Sequence, residues 1–100
     1  MLQQPDPRNR DLIVNIGGEL SSRDQAGVSP FDSSVQGGDA VWEGLRLYQG
    51  KIFRLDQHLA RLESSAKAMA FTDIPSREAI VEEIQRTLEA NRMTDEVHIR

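Results

Sequence analysis

The chain has 100 residues, a net charge of -4 and no cysteine. This length suits one small domain, and the negative balance disfavours nucleic acid, whose binding needs clustered positive charge. Without cysteine, disulfides, thiolate nucleophiles and cysteine zinc sites are excluded. No apolar run approaches the roughly 20 residues of a membrane helix, and no secretory signal is recognisable, so a cytoplasmic location is the default expectation. Residues 1–11 are polar and proline-bearing and are expected to form a disordered lead to a domain over residues 12–100.

The first half of the domain predicts two β-hairpins, each with a two-residue turn that contains glycine. The first runs from residues 12–16 through Gly17-Gly18 to residues 19–20, and the second from residues 40–48 through Gln49-Gly50 to residues 51–54. Residues 21–27 are predicted to be a loop, followed by an extended segment over 28–32. Strand alternation places Val41, Glu43, Leu45 and Leu47 on one face and Ala40, Trp42, Gly44, Arg46 and Tyr48 on the other.

The second half predicts two helices and a short strand. An apolar stripe at Leu55, Leu59, Leu62, Ala66 and Met69 indicates a helix from Leu55 to about Ala70, with Asp56 as a plausible N-cap. Residues 76–91 form the second helix, capped by Ser76. Residues 97–100 have strand character, with Val97 and Ile99 on the face opposite His98 and Arg100. The predicted fold is α+β, with antiparallel hairpins packed against two helices and a final strand begun.

The residues alone indicate little chemistry. His58 and His98 lie on different elements, so no metal-ligand spacing is present and no metal site is expected. Gly37-Gly38 fits neither a phosphate-binding loop nor a dinucleotide fingerprint.

The most informative stretch is residues 37–65, which read GGDAVWEGLRLYQGKIFRLDQHLARLESS. A glycine turn leads to an aromatic-Glu-Gly-x-Arg strand, a glycine-containing turn and a helix with H-x-x-R-L, preceded by an opening hairpin at residues 14–19. This combination resembles the class IV (fold type IV) aminotransferases, which include branched-chain aminotransferases, D-amino acid aminotransferases and aminodeoxychorismate lyases. The resemblance extends from Leu12 to Arg100. It implies the small N-terminal domain of the D-amino acid aminotransferase-like fold, pyridoxal 5'-phosphate as cofactor and a homodimer.

Within that group, residues 41–46 are closest to the branched-chain type. The resemblance therefore implies transfer of an amino group between a branched-chain amino acid and a 2-oxo acid. Trp42 stands where that type usually has phenylalanine and Gly37 where it often has tyrosine, which leaves the substrate open. D-amino acid transamination and aminodeoxychorismate lyase activity are alternatives within the family. A non-catalytic binding or dimerisation module is the alternative of another class.

The resemblance also assigns roles to individual residues. Arg61 matches the arginine that binds the cofactor phosphate, a role that suits the planar, permanently charged guanidinium. Trp42, Gly44 and Arg46 match the strand face that lines the substrate pocket, where the glycine would let a ligand approach the backbone. Arg100 matches a residue that helps bind the substrate's distal carboxylate. By periodicity alone, Arg61 and Arg46 would be solvated side chains and Trp42 a core residue.

Neither of the two lysines, Lys51 and Lys67, matches the family lysine that carries the cofactor. That lysine is expected in a second domain beyond Arg100, so no catalytic residue is assigned here. The 100 residues by themselves are expected to be inactive.

Overall fold

A computed structural model describes residues 6–100 of the chain. It contains two short antiparallel sheets and two long helices, preceded by a 3-10 helix at Pro7–Asn9. The remaining elements, in chain order, are β1 (Ile13–Ile16), β2 (Glu19–Ser22), α1 (Ser33–Gln36), β3 (Leu45–Tyr48), β4 (Lys51–Ile52), α2 (Leu55–Ala68), α3 (Arg77–Ala90) and β5 (Val97–Ile99). None of the helices within residues 6–100 is long and apolar enough to cross a membrane. The architecture confirms the predicted α+β class.

Both predicted hairpins are present, and the backbone geometry of the two turns explains why the chain reverses at these residues. Gly17 and Gly18 have φ of 64° and 87°, and Gln49 and Gly50 have φ of 49° and 78°. Positive φ at both central residues is the type I′ geometry, whose twist matches that of the flanking strands. The first hairpin is a two-stranded sheet, whereas β3 lies between β4 and β5 in a three-stranded sheet. In that sheet Arg46 lies opposite His98.

The buried core is small. Among the described residues, Leu45, Leu47, Leu59 and Ala66 are the buried apolar side chains, and they come from β3 and α2. Helix α3 lies against β1, with Ser76 accepting the Ala79 N–H at its N-terminus as predicted. The inward face of the central strand and the stripe of α2 therefore form the centre of the domain.

The strand predicted for residues 40–48 is shorter than expected. β3 begins at Leu45, because β5 pairs only with Leu45–Leu47 and β4 only with Leu47–Tyr48. Residues 40–44 are irregular and have no ladder partner, although residues 40–43 keep the predicted alternation of exposure. The return strand is likewise limited to Lys51–Ile52, since Phe53 and Arg54 turn into α2.

Other local predictions were wrong at their boundaries. The N-cap of α2 is Arg54, in the left-handed region and without a side-chain cap, while Asp56 lies inside the first turn. A carboxylate there still favours the helix N-terminus electrostatically. Helix α1 was not predicted; the Asp32 side chain accepts the Ser34 N–H and caps it. Ser21 and Ser22 belong to β2 rather than to the following loop.

The structure describes only part of the N-terminal segment, residues 1–11, that was predicted to be disordered. Residues 1–5 lie outside the described residues. In residues 6–11, the Asp6 side chain caps the short 3-10 helix at Pro7–Asn9, so regular local structure extends into the segment expected to be disordered. The disordered lead stays a prediction.

Candidate functional site

Three of the four predicted substrate residues, Trp42, Gly44 and Arg100, lie close together where the segment before β3 meets the end of β5. The Arg100 guanidinium carbon lies 4.5 Å from the centroid of the Trp42 ring, a cation–π distance. A Cβ placed on Gly44 would lie 3.1 Å from His98 Cε1 and 3.6 Å from Trp42 Cζ3. Gly44 thus lies beneath the rings of His98 and Trp42, and its role in the substrate pocket stays a prediction.

Arg46 belongs to the same face but has a different partner. Its guanidinium carbon lies 5.5 Å from the Tyr48 ring centroid. Among residues 6–100, neither Arg46 nor Arg100 forms a salt bridge with a carboxylate. We call Trp42, Gly44, Arg46, Tyr48, His98 and Arg100 the aromatic-cationic face. Its two uncompensated guanidinium groups suit an anionic ligand.

Arg61 lies on α2 and contacts the residue between Trp42 and Gly44. Its Nε donates to both carboxylate oxygens of Glu43 at 3.0 Å, and its Nη2 donates to Oε1 at 2.7 Å. His58 Nδ1 lies 2.7 Å from the same Oε1. The ionised carboxylate can only accept, so this His58 nitrogen carries the proton. Glu43, His58 and Arg61 form one cluster, here called the Glu43 cluster.

Exposure and charge differ sharply within the Glu43 cluster. The Glu43 side chain is 9% exposed and that of Arg61 67%. The hydrogen bonds from Arg61, and then from His58, lower the pKa of Glu43 from its ordinary 4.5 to about 2. Glu43 in turn raises the pKa of Arg61. The carboxylate is therefore ionised at neutral pH and offsets part of the guanidinium charge.

The position of Glu43 connects the predicted phosphate ligand, Arg61, with the predicted pocket residues Trp42 and Gly44. Trp42 and Gly44 point to the aromatic-cationic face, and Glu43, with the opposite side-chain direction, reaches Arg61. Arg61 is thus tied to the predicted pocket segment through a carboxylate, and its role as phosphate ligand stays a prediction. The sequence analysis assigned no role to Glu43. An acidic residue at an inward position, with His58 and Arg61 three residues apart on a helix, was the available signal.

Arg61 has the free donors that a phosphate would need. Glu43 occupies the Nε–Nη2 edge, and within residues 6–100 Nη1 donates no hydrogen bond. An exposed guanidinium with unused N–H groups fits a phosphate ester. Of the two lysines, Lys67 donates from Nζ to Glu63 at 2.8 Å, and Lys51 is exposed on β4. Their lack of a cofactor role stays a prediction.

Comparisons with known proteins identify the class. A model of the family described as amino-transferase class IV matches residues 40–100. The chain is 56% identical over 96 residues, 96% of its length, to branched-chain-amino-acid aminotransferase-like protein 2 of Arabidopsis thaliana, and covers 17% of that protein. It is 36% identical over 84% of its length to a putative branched-chain-amino-acid aminotransferase of Methanocaldococcus jannaschii, covering 29% of it.

A solved structure agrees with this result. The branched-chain aminotransferase of the archaeon Thermoproteus uzoniensis, crystallised with norvaline, superposes with a TM-score of 0.75 at 27% identity, covering 87% of this chain and 31% of that one. Matches at 32% identity include a D-alanine aminotransferase and an aminodeoxychorismate lyase.

The chain belongs to the class IV aminotransferases, a family of pyridoxal-phosphate-dependent enzymes. It spans less than a third of the length of each relative described above.

Proposed function

We propose that these residues are the phosphate-binding and substrate-contacting part of an aminotransferase that moves an amino group between a branched-chain amino acid and a 2-oxo acid. The observation that carries the proposal is Arg61: at the position of the family's phosphate arginine, it presents unused N–H groups beside the segment that bears Trp42 and Gly44. The similarity to branched-chain enzymes supports the substrate class.

The residues of this chain would bind the cofactor phosphate and orient the substrate. Arg61 would hold the phosphate of pyridoxal phosphate by charge-assisted hydrogen bonds. The Trp42 ring would pack against the substrate side chain, and Arg46 and Arg100 would attract its carboxylates. When bound, the cofactor supplies the electron sink that amino-group transfer requires.

The isolated 100 residues are expected to lack turnover, because neither Lys51 nor Lys67 matches the family lysine that carries the cofactor. Addition of pyridoxal phosphate followed by borohydride reduction tests this expectation. A reduced adduct on one specific lysine, together with transamination, would overturn it.

The first prediction concerns Arg61. Arg61→Gln should weaken binding of inorganic phosphate and pyridoxal phosphate by tenfold or more, because a charged fork is lost. Binding is measured by NMR titration of the isolated chain. Arg77→Gln is the matched control, since Arg77 is also an exposed helical arginine paired with a glutamate, Glu63, and carries the same charge. Equal loss in both variants, or none in Arg61→Gln, would contradict the assignment.

Two activities of the same family compete with the branched-chain assignment, and both occur among the relatives. L-leucine, D-alanine and aminodeoxychorismate, assayed in parallel on the polypeptide that contains these residues, would separate the three. L-leucine should be the preferred amino donor. Preference for D-alanine, or release of product without an amino acceptor, would transfer the assignment to the corresponding alternative.

A non-catalytic binding or dimerisation module is the competing function of another class. An open groove of about 830 Å³ between β1, α3 and β5 favours it, because apolar residues from all three elements line the groove. Small-angle scattering and a phosphate titration would distinguish this module from the aminotransferase. A stable, compact particle without affinity for phosphate or pyridoxal phosphate would support the module. A homodimer and a cytoplasmic location stay predictions.

A further inference from the structure

We infer that Glu43 is a positioning residue for Arg61: it holds one edge of the guanidinium so that the opposite edge faces an incoming phosphate. The inference rests on the proposed function, because it takes Arg61 as the phosphate ligand. It concerns a residue to which the sequence analysis assigned no role.

The argument begins with the donors of the guanidinium. Arginine has five N–H groups in one plane. The carboxylate of Glu43 takes the Nε hydrogen and one Nη2 hydrogen, at 2.7 to 3.0 Å. Three N–H groups remain, on Nη1 and on the outer side of Nη2, and the side chain is 67% exposed. The ion pair therefore orients the fork without consuming the donors that an anion needs.

The carboxylate is itself fixed. Glu43 is 9% exposed and is also bonded to His58 Nδ1 at 2.7 Å. His58 and Arg61 are three residues apart on α2, so both lie on one side of the helix. An arriving phosphate meets a guanidinium whose inner edge is held by an anchored partner, and less side-chain entropy is lost on binding.

The position of Glu43 also links the two predicted binding surfaces. Its neighbours Trp42 and Gly44 lie on the aromatic-cationic face, whereas its own side chain reaches α2. A shift of residues 41–44 would move the Trp42 ring and the Arg61 guanidinium together. Glu43 thus sets the relative placement of the phosphate anchor and the substrate-facing ring.

The alternative is that Glu43 merely neutralises Arg61, and it predicts the opposite result. If Glu43 positions Arg61, Glu43→Gln should raise the dissociation constant for inorganic phosphate about tenfold, the lower end of the loss seen when partners that orient metal ligands are removed. If Glu43 only repels anions, Glu43→Gln should tighten phosphate binding.

The experiment is an NMR titration of the 100-residue chain with inorganic phosphate, observing the Arg61 Nε–Hε signal. In the wild type this signal should persist at a pH at which signals of unpaired arginines have broadened, because Glu43 protects the hydrogen. In Glu43→Gln it should broaden with the others. Glu43→Asp keeps the charge but shortens the reach, and should fall between the two in both readouts.

Glu63→Gln is the matched control. It removes the same charge from α2, where Glu63 binds Lys67 and Arg77 and not Arg61. Its phosphate affinity should equal that of the wild type. A wild-type Arg61 signal that phosphate does not shift would overturn the proposed function and this inference together. Phosphate binding at Arg61 that Glu43→Gln leaves unchanged or tightens would overturn this inference alone. Should Glu43→Gln unfold, Glu43→Asp decides by the same criteria.

Discussion

Gly44 shows how one missing methyl group determines a local surface. The His98 ring lies across its backbone, and the Trp42 ring contacts the same place. The φ of Gly44 is not positive, so its conformation does not require glycine. A Cβ there would lie 3.1 Å from His98 Cε1, so the His98 ring would have to move by a few tenths of an ångström. The side chain of His98 on the neighbouring strand thus lies over Gly44, and the role of Gly44 beside a substrate stays a prediction.

Gly44→Ala should displace His98 and loosen the stack of Arg100 on Trp42. We expect a loss of about 1 kcal/mol or less in the free energy of unfolding, below the cost of overpacking a core, because His98 is exposed and can move. Trp42 is the one tryptophan of the chain, so its fluorescence reports the displacement directly. His98→Ala in the Gly44→Ala background should restore most of the stability. Failure of the second substitution to do so would refute the contact as the cause.

At the scale of elements, the packing of the first hairpin against α3 depends on side-chain amides. Asn91 accepts the Ile13 N–H and donates to the Ile13 carbonyl, both at 2.8 Å, as a neighbouring strand would. Asn15 donates to Glu83 and Thr87 on the same helix. Backbone groups of the edge strand β1 are satisfied in this way without another strand.

Asn91→Ala should release β1 from α3. The loss of the two part-buried hydrogen bonds to Ile13 and of a third to the Thr87 carbonyl should lower the free energy of unfolding by about 1–3 kcal/mol. Hydrogen exchange at the Ile13 amide should accelerate more than exchange within α2. Gln85→Ala, an exposed change on α3, is the control and should leave both measurements unchanged. Uniform acceleration across the chain would contradict a local role.

At the scale of the whole molecule, acid should destabilise the fold. Within residues 6–100, four carboxyl groups have a lowered pKa in the folded state, each held by a hydrogen-bond donor: Asp6 by Arg8, Asp32 by Ser34, Glu43 by Arg61, and Glu63 by Lys67. A lowered folded pKa means that the unfolded chain binds more protons between the two values. The stabilisation is thus complete above about pH 4.5 and is lost as the pH falls toward 2.

Urea unfolding at pH 7, 4 and 2.5 measures this dependence. The free energy of unfolding should decrease most between pH 4 and 2.5, since the pKa of Asp6 and of Glu43 is lowered to about 2. Glu43→Gln should be less stable at pH 7 and show a shallower decrease. An equally steep decrease in that variant would mean that Glu43 does not contribute to the acid response.

The sequence by itself indicated both hairpins, the two long helices and the family. Glycine-containing turns, the apolar stripes of two helices and the Glu-Gly-x-Arg and H-x-x-R-L motifs are local patterns, and local backbone preferences suffice to interpret them. The tertiary structure decided where each strand has a partner, and for this reason β3 begins only at Leu45. It also decided which side chains contact each other. Contacts of Glu43 with α2 and of His98 with Gly44 join residues 15 to 54 positions apart, and no local pattern specifies such pairs because they depend on how the elements pack.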